Sequence, residues 1–156
     1  MNIFHLREIK KGVGNLISWF PIIWNDRDWD YQYIYALLYF KLSRTEKCIR
    51  LYGHSVNNEE VADSIKECIV ILKRLMEEEY CTEDWDKIHE KWGEFTLVET
   101  KDGYSTFEYA NVKTDEDREK YNAEVKNCCK KEESLIQEDL NSLFEIMKKN
   151  IRGWWD

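Results

Sequence analysis

Apolar positions recur along most of this chain at the period of an α-helix. Ile34, Leu38, Leu42, Ile49 and Tyr52 form one stripe, which predicts a helix from about Asp28 to Tyr52. Its other side carries Tyr31, Tyr35 and Tyr39 at intervals of four, with Tyr33 and Phe40 between them. A helix apolar nearly all round belongs in the middle of a bundle or at a subunit interface. A second stretch, about Glu59 to Tyr80, turns Val61, Ile65, Cys68, Ile69, Leu72, Leu75 and Met76 to one face. A short helix is expected from Glu83 to Trp92.

The period then changes. Residues 94–100 and 104–109 are β-prone runs on either side of Lys101-Asp102-Gly103, which predicts a hairpin over about residues 94–109. An isolated hairpin is marginal, so this one is expected to pack on the helices. The longest element runs from about Asp115 to Arg152, where Tyr121, Val125, Cys128, Ile136, Leu140, Leu143, Met147 and Ile151 make a seam close to heptad spacing. At the N-terminus Ile3, Phe4, Leu6 and Ile9 predict a short helix ending near Gly12-Val13-Gly14.

Start and stop signals fit these bounds. Asn57 with Glu60 has the spacing of a capping box, and Thr82 and Thr114 each precede acidic residues. Gly53, Gly93 and Gly153 stand where helices should stop, in the left-handed position. The fold expected is mainly α: a helical bundle with long central and C-terminal helices and one small hairpin, in a single domain over residues 1–156.

Charge narrows the function classes. With 23 basic and 31 acidic residues the net charge is −8, which repels a polyanion and argues against a binder of duplex nucleic acid. No membrane span is expected, since the longest apolar stretch, Leu16 to Trp24, is short and holds Pro21. Arg7, Glu8, Lys10 and Lys11 interrupt any secretory signal, so a soluble cytoplasmic protein is expected. The five cysteines, Cys48, Cys68, Cys81, Cys128 and Cys129, are odd in number and show no C-x-x-C pair, which suits reduced thiols.

The unusual segment is Trp19-Phe20-Pro21-Ile22-Ile23-Trp24-Asn25-Asp26-Arg27-Asp28-Trp29-Asp30-Tyr31. Aromatics, one arginine and three carboxylates alternate where the chain enters its central helix, and a helix N-terminus suits an anion. Trp24, Trp29 and Tyr31 offer flat faces for a base, Arg27 a planar fork for phosphate, and Asp28 and Asp30 acceptors for ribose hydroxyls or base amino groups. The plainer alternative has Asp28 capping the helix, Arg27 paired with an acid and the tryptophans in the core. Asp26, Asp28 and Asp30 raise the question of calcium, but Tyr31 and Leu37 occupy the positions where an EF-hand needs Gly and Glu.

Other chemistry is thin. Asp86-x-x-His89 is half of a di-iron pattern without its partner pair, and nucleophile elbows, phosphate loops and dinucleotide glycine patterns are absent. No catalytic residue, metal ligand or cofactor is assigned. At the C-terminus, Trp154 and Trp155 follow Arg152-Gly153 and are expected to dock on their own bundle or on a neighbouring subunit. This tail, with Tyr35 and Tyr39, is the expected surface for homo-oligomers. Arg44, Lys47 and Arg50 lie on one side of the central helix, where they are either solvated or part of a pocket for a phosphate-bearing molecule.

The segment from Trp19 to Tyr31 and the ending Ile151-Arg152-Gly153-Trp154-Trp155-Asp156 resemble those of a family of small helical bacteriophage and prophage proteins. The resemblance implies a phage-encoded helical protein acting inside a bacterial cell, and brings no catalytic residues or substrate with it. Two functions follow as expectations. The first is a non-enzymatic protein that sequesters a nucleotide-derived immune signal and so counters host defence. The second is a protein–protein interaction module, a host-protein inhibitor or structural accessory, working through aromatic anchors.

Overall fold

A computed structural model describes residues 3–99 and 102–154. Among these the element order is α1 (Ile3–Trp24), α2 (Gln32–Tyr52), α3 (Asn58–Glu77), α4 (Thr82–Trp92), β1 (Phe95–Glu99), β2 (Ser105–Tyr109), α5 (Asp115–Asn150) and a 3-10 turn (Ile151–Gly153). The expected class, mainly helical with one antiparallel hairpin and a long C-terminal helix, is what the chain adopts. The chain falls into two compact units, residues 1–76 with 145–156, and residues 77–144.

In the first unit, α1 departs most from expectation. It does not end at Gly12-Val13-Gly14 but runs on to Trp24, through Pro21. Each interior glycine costs about 1 kcal/mol against alanine. That cost is offset by Asn15, Trp19 and Ile22, which share one face and meet α2. The Trp19 ring packs edge-on against Phe40 at 4.7 Å, Asn15 Oδ1 accepts from Arg44 at 2.9 Å, and the Ile22 carbonyl accepts from the Tyr33 hydroxyl at 2.7 Å. Pro21 is tolerated because its missing N–H orphans a carbonyl only at Ile17, on an exposed turn.

Helix α2 starts four residues later than expected, because Asp28 to Tyr31 form turns. Its Leu42 and Ile49 are buried, and most of its tyrosines are half-buried. Gly53 ends it in an extended conformation (φ −67°, ψ 140°), not the left-handed one expected. Glycine is required there by crowding: a Cβ would strike the Ile49 carbonyl oxygen and the Asn58 amide, which donates to the Gly53 carbonyl at 2.8 Å. Helix α3 buries Ala62, Ile65, Cys68, Ile69, Ile71, Leu72 and Leu75. Val61 and Met76, expected in the same set, are half-buried. The helix stops at Glu77, short of Tyr80, as Glu78 takes a positive φ of 51°.

In the second unit Cys81, Ile88, Trp92 and Cys128 form the core, with Tyr80, Trp85, Val112, Tyr121, Val125 and Leu135 against it. Cys81, not Thr82, is the N-cap of α4. Gly93 closes α4 at φ +78°, the one of the three helix-end glycines in the left-handed region. Gly153 instead lies within the 3-10 turn. The hairpin pairs Phe95 with Tyr109 through to Glu99 with Ser105. Among the described residues it packs at its base, where the Tyr109 ring lies 4.3 Å from the Tyr121 ring and Asn111 N–H donates to the Trp92 carbonyl; Leu97 and Phe107 are exposed. Thr114 caps α5 as expected, its hydroxyl accepting from Asp117 N–H while the Asp117 carboxylate accepts from Thr114 N–H, both at 3.1 Å.

Candidate functional site

The segment joining α1 to α2 is a tight corner held by its own backbone. Asp26 N–H donates to Ile23, and Asp30 N–H to Arg27. Asp30 Oδ1 accepts from Gln32 N–H at 3.0 Å, so this carboxylate, not Asp28, sits at the start of α2. Arg27 reaches back to the Asp26 carbonyl at 2.8 Å. Trp24, Trp29 and Tyr31 are 70%, 82% and 60% exposed; the Trp24 ring lies against Phe20 at 5.1 Å and the Tyr31 ring edge-on to Tyr35 at 5.9 Å. Burial, with Asp26 and Asp30 nearby, pushes the Tyr33 hydroxyl above its ordinary pKa.

A better-formed recess lies farther along the same two helices. It is an open groove of about 610 Å³ lined by Asn15 and Trp19 of α1, by Lys41, Arg44, Thr45, Cys48, Ile49 and Tyr52 of α2, and by Trp154. Positions 41, 44, 45, 48 and 52 recur at helical spacing, so α2 turns one polar and aromatic face into the groove. Trp154 is fixed there by its Nε1, which donates to Ser64 Oγ at 2.9 Å. Of the expected terminal pair, Trp154 therefore docks within its own chain. Trp155 lies outside the described residues, and Arg152 is exposed.

Electrostatics set this groove apart. Arg44 donates to the neutral Asn15 and lies over the Phe40 ring at 5.7 Å. Neither it nor Lys41 pairs with a carboxylate among the described residues, and none lines the groove. Arg50, grouped with Arg44 and Lys47 by the sequence, has a different fate. It bonds Glu46 at 2.7 Å, Glu59 at 2.6 Å and Asp63 at 2.9 Å, and those hydrogen bonds, Asp63 first, hold its pKa above the ordinary value. Lys41 was not singled out from the sequence. The signal that marks it is its α2 face, shared with Arg44, Thr45 and Tyr52.

The second unit holds charge pairs and thiols. Glu124 accepts from Lys91 and, at 2.7 Å, from Trp92 Nε1, and these bonds keep its pKa below the ordinary carboxylate value. Asp84 is lowered in the same way by its hydrogen bond from Lys131 at 2.5 Å. His89 is stacked on Trp85 at 6.1 Å and exposed. Burial raises the Cys128 thiol beside Cys81, and raises Cys68 in the first unit to about 11, so these are poor nucleophiles. Among the described residues no group of three or more His, Cys, Asp or Glu is arranged to hold a metal ion.

No protein-family model, curated protein or solved structure matches this chain. Among the described residues no helix is long and apolar enough to cross a membrane. The functional reading therefore rests on the chemistry of the groove and the corner.

Proposed function

We propose that this chain is a non-enzymatic binding protein whose α2 groove holds a small anionic, ring-bearing ligand of the nucleotide class. The observation that carries this reading is the lining: two cations, three aromatic side chains and no carboxylate among the described residues, in a chain of net charge −8. Arg44 supplies a planar fork for a phosphate and Lys41 a mobile point charge. Trp19, Tyr52 and Trp154 supply apolar faces for a base, with Asn15 and Thr45 as polar contacts. The volume of about 610 Å³ falls within the usual range of small-ligand pockets, about 300–1,000 Å³. Holding such a ligand requires affinity, not turnover. The resemblance to bacteriophage proteins supports a setting in which sequestering a nucleotide-derived immune signal counters host defence.

Isothermal titration with AMP, ADP-ribose, cyclic di-AMP and inorganic phosphate tests the reading directly. At least one nucleotide is expected to bind, to be released unaltered on heating, and to lose at least about tenfold in affinity in each of Lys41→Ala and Arg44→Ala. Binding indifferent to both substitutions, or release only of altered products, would refute it. The second reading, an interaction module, has its own support in the exposure of Trp24 and Trp29, 70% and 82%. It predicts a stoichiometric protein partner in bacterial lysate that Trp29→Ala loses and Lys41→Ala keeps.

A further inference from the structure

Helix α1 has two faces. Asn15, Trp19 and Ile22 meet α2, while Leu6, Ile9, Val13, Leu16, Phe20 and Ile23, centred on the other side, are 47% to 72% exposed. Those six follow at intervals of three, four, three, four and three, the seam of a helix that packs lengthwise on another helix. Ile17 and Trp24 widen the stripe and are exposed as well, and residues 12–24 carry no charged side chain. The eight side chains leave on the order of 1,000 Å² bare per chain, against about 300–600 Å² for the largest apolar patch of an ordinary monomer.

We propose that this face is a homodimer interface, in which α1 packs antiparallel on α1 of a second copy. Two such faces together remove about 1,500–2,000 Å² from water, the size of a stable specific interface. The spacing closes on itself about a two-fold axis between residues 14 and 15. Leu6 meets Ile23 of the second copy, Ile9 meets its Phe20 and Val13 its Leu16, so every seam position finds a partner. Charge favours the same direction. The start of α1 carries Arg7, Lys10 and Lys11 against Glu8 alone, while the residues past its end carry Asp26, Asp28 and Asp30 against Arg27 alone. Antiparallel packing brings opposite signs together at both ends; parallel packing stacks like on like. The same aspartates and the net charge of −8 disfavour an anionic lipid surface as the occupant.

Sedimentation of the full chain tests this. A dimer is expected at about 100 µM, weakened at least about 100-fold by the double substitution Leu16→Glu with Phe20→Glu. Both positions are exposed, so far-UV circular dichroism should not change. For direction, Ile9→Cys and Phe20→Cys are each made in chains carrying Cys48→Ser and Cys129→Ser. A disulfide-linked dimer is expected when the two are mixed, and not from either alone. A monomer at that concentration, or a dimer indifferent to the double glutamate variant, would overturn the proposal. So would cross-linking of either single variant with itself. Monomeric binding to phosphatidylglycerol vesicles that the double variant abolishes would assign the face to lipid instead.

Discussion

Replacing Trp92 with phenylalanine should cost the second unit about 3 kcal/mol. Trp92 is buried at the end of α4 among Cys81, Ile88 and Cys128, with its ring edge-on to Tyr121 at 6.0 Å. Its Nε1 gives Glu124 Oε2 a 2.7 Å hydrogen bond. Phenylalanine keeps an aromatic ring in place but has no donor. Losing a hydrogen bond to a charged acceptor costs about 1.5–3 kcal/mol. The smaller ring leaves unfilled space worth roughly another 1 kcal/mol. The comparison is Lys91→Met, which removes the other donor to the same carboxylate. Lys91 is exposed, and an exposed pair contributes about 1 kcal/mol or less. Urea denaturation followed by far-UV circular dichroism separates the two. Trp92→Phe should also lower Tm by about 6–12 °C. If Trp92→Phe costs no more than Lys91→Met, the half-buried indole–carboxylate bond does not hold this core together.

Two further outcomes follow. Asp84, Asp117 and Glu124 are all held below the ordinary carboxylate pKa, chiefly by hydrogen bonds from Lys131, Thr114 and Lys91 respectively. Their stabilisation is complete above that ordinary value and drains away as pH falls through the lowered ones, so the urea midpoint should drop as pH falls below about 4.5. A midpoint unchanged from pH 7 to pH 3 would contradict this, and Glu124→Gln should flatten the profile. In the first unit Leu72 is fully buried on α3, and Leu72→Ala should cost about 3–5 kcal/mol by the same urea assay. A loss below about 1 kcal/mol would mean that α3 repacks around the gap.

Helices α3 and α5 were readable because one apolar stripe dominates each, α2 because apolar residues keep helical spacing on both its sides, and the hairpin because the side-chain period shifts to two around Asp102-Gly103. The sequence misled at α1, where Gly12 and Gly14 suggested a stop. The three-four spacing runs straight through them from Leu6 to Ile23, and nothing beyond them offers a turn until Asn25. A glycine ends a helix only where the apolar pattern ends too, as at Gly93. Arg50 with Glu46 was visible from their spacing of four, whereas Glu59 and Asp63 come from α3. The groove was hidden for the same reason: Asn15, Lys41 and Trp154 are far apart in sequence and meet only in the folded unit.

Lys47, Lys66 and Lys126, like Lys41 and Arg44, have no acid partner among the described residues, so what marks the groove is two such cations beside aromatic rings with no acid in the lining. Arg50 is bound by three acids, Lys91 by Glu124, Lys131 by Asp84, and Lys11, Lys120 and Lys148 each by a glutamate within one helical turn. In a chain with 31 acidic residues, partners are plentiful. Lys41 and Arg44 nonetheless face Asn15, Thr45 and aromatic rings, so their field is neutralised from within only weakly. Both cations are exposed in an open groove, so their pull on an anion should weaken as salt rises. For the ligand class we propose, the net charge of −8 disfavours long polyanions and leaves a compact anion with one or two phosphates as the better match to two cations.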